Sequence, residues 1–167
     1  METMKKIIAI AIFLTITIAC GDDDTATRSA EKIEITDNGT ITDFSHNIIA
    51  KDFPMPATTG FTCSFQITSE DAIGNNFTLN FLPKVATCPY DITTPTYESI
   101  FNPISNRLSI DGLPIDNTNT NNQIDINYTV FGTTIGDNIK IDFNGKYYET
   151  DGTLHNLLGT IDINRDN

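Results

Sequence analysis

From about residue 31 onward the chain alternates apolar and polar side chains with a period of two. "FTCSFQIT" puts Phe61, Cys63, Phe65 and Ile67 on one side, and "NFTLNFL" does the same with Phe77, Leu79 and Phe81. "QIDINYTV" aligns Ile124, Ile126, Tyr128 and Val130, and "NIKIDF" aligns Ile139, Ile141 and Phe143. A strand repeats every two residues, so these segments predict half-buried strands with apolar faces inward and polar faces in water. No stretch longer than about ten residues carries a helical period.

Turn residues divide the pattern. "KIEITDNGTITDF" reads as a hairpin, because Asn38-Gly39 accepts the positive φ angles that a two-residue turn requires. A last hairpin is expected from Asn138–Tyr148 paired with Leu157–Asn164 through Asp151-Gly152, with a bulge at Gly145, where the alternation blurs. "LPKVATCPYDITTPTYESIFNPISN" holds four prolines and reads as short edge strands or loop, and "DGLPIDNTNTNNQ" as loop. About eight to ten short strands at this spacing predict an antiparallel β-sandwich, with a closed up-and-down, lipocalin-like barrel as the alternative.

Ahead of that pattern stands a different one. Lys5 and Lys6 form a short basic region, with Met4 as the expected initiator before them. Ile7 to Ile18 is apolar except for Thr15 and Thr17. The run is short of the roughly 20 apolar residues that a membrane span needs, so it reads as a secretion signal. It ends at Ile18-Ala19-Cys20, and "GDDDTATRSAE" follows with no apolar side chain larger than alanine. Such a stretch cannot bury enough surface to fold and reads as a tether.

Ile18-Ala19-Cys20 resembles the lipobox of bacterial lipoproteins, with Thr17 in place of the usual leucine. The resemblance implies cleavage before Cys20, lipid on its thiol, and an outer-membrane protein held there by its acyl chains, palmitate among them. Asp22, Asp23 and Asp24 are similar to the acidic export signal of Bacteroidetes-type surface lipoproteins, which implies display on the cell surface. In those bacteria Asp24-Thr25-Ala26 also resembles an O-glycosylation acceptor, which would put the glycan on Thr25. The expected organisation is a signal peptide at 1–19, an acidic tether at 20–30 and one β-domain at 31–167.

Composition narrows the partners. The formal net charge is −12, and loss of residues 1–19 removes two lysines and one glutamate, deepening it by one. Nucleic-acid binding is driven by Lys/Arg neutralisation of phosphate, so nucleic acid is excluded as a partner. Of three cysteines, lipidation of Cys20 leaves Cys63 and Cys88. An even pair outside the cytoplasm predicts a disulfide, which contributes on the order of 3 kcal/mol in the chain-entropy model.

Candidates for chemistry are few. His46 and His155 are far apart in sequence and read as isolated surface histidines, and no nucleophile elbow, zinc-protease helix or phosphate loop is present. Neither a catalytic residue nor a metal or other cofactor is expected. The Asn-rich stretch from Asp116 to Asp125 offers oxygens at alternate positions, as calcium takes, but an Asn-rich turn forms equally well without metal. Tyr128 belongs to the inward series; Tyr90, Tyr97, Tyr147 and Tyr148 are the candidate ligand contacts. The expected function is a non-catalytic surface lipoprotein whose β-domain binds, adheres or has a structural role, its ligand unidentified. A lipocalin-like carrier of a small apolar ligand is the second reading and a secreted hydrolase the third.

Overall fold

The computed structural model describes residues 30–54, 63–85, 88–99, 106–110, 113–116 and 119–166, so Cys20, Asp22, Asp23, Asp24 and Thr25 lie outside the described residues. The described residues form strands and no helix. β1 (Lys32–Asp37) and β2 (Thr40–Asp43) come first, followed by β3 (His46–Pro54), β4 (Cys63–Glu70) and β5 (Asn76–Val85). Short strands β6 (Thr96–Ser99), β7 (Asn106–Ile110) and β8 (Leu113–Pro114) lead to β9 (Gln123–Phe131), β10 (Asn138–Tyr148) and β11 (Leu154–Asn164).

One sheet has the order β2-β1-β11-β10-β9-β6 and the other β3-β4-β5-β7-β8, with every pairing antiparallel. Among the described residues both sheets are open, with β2 and β6 as the outer strands of one and β3 and β8 of the other, so the domain is a β-sandwich, and the closed-barrel alternative is overturned. Aromatic side chains from the two sheets meet between them. Phe65 of β4 meets Phe131 of β9 at 5.2 Å between ring centroids, Phe81 of β5 meets Tyr128 at 5.8 Å, and Phe77 stacks on Phe143 of β10 at 6.4 Å. Burying each such ring contributes about 1.5–3 kcal/mol.

The first hairpin forms as its turn chemistry requires: Asn38 and Gly39 have φ of 48° and 83° between β1 and β2. At the last hairpin β11 begins three residues earlier than expected, at Leu154. The bulge is not at Gly145. It lies on β9, where Lys140 pairs with Val130 and Ile141 with Tyr128, leaving Thr129 as the extra residue. The inserted residue reverses the alternation, so Val130 faces out at 38% exposure and Phe131 turns inward at 6%. Gly145 has a different role: a Cβ there would sit 1.8 Å from the Gln123 carbonyl oxygen, so only glycine lets β10 approach β9.

Two clamps close the end of the sandwich that holds Tyr90. Cys63 and Cys88 are disulfide-bonded, with Cα atoms 5.1 Å apart, which pins the segment after β5 to the start of β4. Tyr90 then enters the core, packing against Phe65, Phe81 and Phe131. At the other end of the chain Arg165 is fully buried, its guanidinium 4.6 Å from the Phe65 ring centroid. Nη2 donates to Asp52 Oδ1 at 2.5 Å, and Nη1 donates to the carbonyls of Tyr90 at 3.1 Å and Gly132 at 2.8 Å. Asp166 N–H donates to Ala50 O at 2.8 Å, which ties the tail of one sheet to the edge of the other.

Candidate functional site

The inner face of the six-stranded sheet changes character along its length. Ile33 and Ile35 on β1 and Ile161 and Leu157 on β11 are core, but the next inner positions in the same rows are Asp37 and His155. Register then builds a cluster. Tyr147 of β10 lies opposite His155, and their rings stack at 4.7 Å with a 21° tilt. His155 Nδ1 lies 2.8 Å from Asp37 Oδ2, and Nε2 lies 3.1 Å from Glu149 Oε1. Tyr147 OH donates to Asp37 Oδ2 at 3.0 Å. Burial pushes the Tyr147 phenol above its ordinary range, and the hydrogen bond to Asp37 and the charges of Asp37 and Glu149 push it the same way.

Beside this cluster a cleft of about 380 Å³ opens under the β2 edge. The β1–β2 hairpin supplies most of the wall. Ile35 and Phe44 form its apolar floor, Asp37 and Asn38 one end, and Thr40 and Thr42 the inward side of the edge strand. Asn75 and Ile110 close it from the opposite sheet, and His155 completes the polar end. Asn38 is fixed in place: its Oδ1 accepts from Asn156 N–H at 2.8 Å and its Nδ2 donates to Leu154 O at 3.3 Å. Asp71 likewise holds Asn75, through its amide side chain and its backbone N–H, both at 2.9 Å. Fixed polar groups over an apolar floor are the usual composition of a small-ligand site.

The four candidate tyrosines scatter. Tyr90 is a correction: at 0% exposure it is a core residue, and burial raises its phenol to about 12, so it is not a ligand contact. Tyr97 is 75% exposed, on edge strand β6 at the far side of the sheet from β2. Tyr148 is half-buried, and its N–H donates to Asn122 Oδ1 at 2.8 Å. Only Tyr147 stands next to the cleft, through His155. Tyr128 is core as its period predicts.

His155 also departs from the sequence reading, being half-buried and doubly partnered rather than an isolated surface residue, while His46 is exposed. In the Asn-rich stretch the side chains of Asn119 and Asn122 bond to backbone. Asn119 Oδ1 accepts from Asn121 N–H at 3.0 Å, and buried Asn122 donates from Nδ2 to Asp116 O at 2.7 Å. Asp52 lies within 4.8 Å of both cysteine sulfurs, but the disulfide occupies those sulfurs with each other.

Comparison with family models, with curated proteins and with solved structures finds no match to this chain.

Proposed function

We propose that this protein is a non-catalytic, lipid-anchored binding module of the cell surface, whose ligand site is the cleft beside β2. The observation that carries the binding half is the cleft itself: a preformed concavity between the sheets with hydroxyl, amide and carboxylate groups held over apolar side chains. The anchoring half rests on sequence, on Cys20 at the end of the apolar run and on the polar tether behind it.

The state of His155 favours binding over catalysis. A general base needs a ring nitrogen open to the reacting group. Both nitrogens here face carboxylates at 2.8 and 3.1 Å, and Tyr147 covers the ring. The cluster is therefore a clamp joining β1, β10 and β11 at the wall of the cleft.

Detergent phase partition of the expressed full chain tests the anchor. Wild-type protein enters the detergent phase, and Cys20→Ser stays in the aqueous phase or keeps its leader. A wild-type protein found in water, beginning at a residue other than Cys20, overturns the reading.

A further inference from the structure

We infer that the cleft takes a neutral carbohydrate unit. This rests on the cleft being the ligand site and assigns the chemistry of its occupant. Its volume, about 380 Å³, lies at the small end of ligand pockets and suits one compact ring rather than a long chain.

Charge removes one class of ligand. Among the described residues neither lysine nor arginine lines the cleft, Asp37 lies in its wall, and the chain as a whole carries −12, so phosphate, sulfate and carboxylate ligands are repelled. A purely apolar ligand is disfavoured in turn, because it would cover the hydroxyls of Thr40 and Thr42 without bonding them. A cationic ligand would seek Asp37. That carboxylate, however, is already engaged, lying 2.8 Å from His155 Nδ1 and accepting from Tyr147 OH at 3.0 Å.

What the lining fits is an uncharged molecule with both donors and acceptors and an apolar C–H face. A pyranose has all three. Thr40 and Thr42 each offer a hydroxyl that donates and accepts. Asn75 donates one amide N–H to Asp71, and its carbonyl oxygen is an acceptor. Half-buried Ile110 presents aliphatic surface from the opposite sheet.

Amide-shift mapping on the ¹⁵N-labelled full chain in detergent micelles tests this. The neutral probes are the methyl glycosides of glucose, galactose, mannose and N-acetylglucosamine; glucuronate, cyclohexanol and cyclohexylammonium are the contrasts. At least one neutral glycoside is expected to give saturable shifts at Asn38, Thr40, Thr42, Asn75 and His155, with glucuronate at least about tenfold weaker. Thr42→Val keeps the shape of the side chain and removes one hydrogen bond, so it should weaken that glycoside about fivefold while shifts outside the cleft stay as in wild type. Saturation at the cleft by cyclohexanol or cyclohexylammonium but by no glycoside would leave the binding site standing and overturn the carbohydrate assignment. Failure of every probe to move these amides would overturn both, and glycoside affinity unchanged in both Thr40→Val and Thr42→Val would overturn the proposed contacts.

Discussion

Replacing Asp52 with asparagine should destabilise the fold more than any surface change, because it removes a charge partner of a fully buried guanidinium. Arg165 has a side-chain exposure of 0% and Asp52 of 12%, so water cannot take over the lost interaction. Asparagine keeps the shape and still accepts from Tyr90 N–H, which Asp52 Oδ1 does now at 3.1 Å. The change is therefore one of charge. Breaking a buried pair by removing one partner costs about 3–5 kcal/mol, because an uncompensated charge stays behind. At about 3–4 °C per kcal/mol for a domain of this size, that is a fall in melting temperature of roughly 10–20 °C. Arg165→Met keeps an unbranched stem against Phe65 and Phe131 but strips donors from the Tyr90 and Gly132 carbonyls, so its cost should be of the same order. The double variant should lose clearly less than the sum of the two. Guanidinium unfolding followed by circular dichroism gives all three values. A cost below about 1 kcal/mol for Asp52→Asn, with an unchanged denaturant slope, would refute the clamp.

Alkylation of the native protein without reduction should label neither Cys63 nor Cys88, and reduction should remove about 3 kcal/mol of stability; two labelled thiols in unreduced protein would contradict the bond. Gly159→Val should cost at least about 1–3 kcal/mol, measured by thermal melts, because a Cβ there would stand 2.0 Å from Phe143 Cζ and Phe143 leans on Phe77. Alkaline stability follows from two phenols. The fold favours neutral Tyr90, raised to about 12 by burial, and neutral Tyr147, raised by burial and by Asp37. Their contribution is whole below the unfolded value of about 10 and is lost as pH rises through the folded values, so the melting temperature should hold to about pH 9 and fall above 10. A melting temperature flat to pH 12 would contradict it.

The strand faces were legible because alternation is written locally: each of Phe65, Ile67, Phe77, Leu79, Ile124, Ile126, Ile139 and Ile141 is buried where the period puts it. The Asn38-Gly39 turn was legible for the same reason, since its requirement is confined to two residues. Val130 is misplaced by the period because one extra residue inverts the alternation after it, and nothing in "NYTVF" marks Thr129 as that residue. Most of the cleft was not legible. Asp37 meets His155 across 118 positions because β1 pairs with β11, a contact set by topology rather than by any local pattern. Tyr147 was among the candidates, but for its place on a strand and not for its neighbours. Tyr90 sits in an irregular, proline-rich stretch with no period to place it, two residues after the disulfide that pins this segment to β4, and is buried against Phe65, Phe81 and Phe131. Arg165 follows the last strand in "NRDN", where no local pattern signals burial, and the partners gathered around it explain why it is buried.

Protease accessibility on intact cells tests the central claim, surface display of an anchored module, most directly. Wild-type protein should be digested by protease added outside intact cells. The variant with Asp22, Asp23 and Asp24 all replaced by alanine should stay in the membrane fraction and be protected until the outer membrane is opened. Wild-type protein that resists external protease until the cells are lysed would contradict the account.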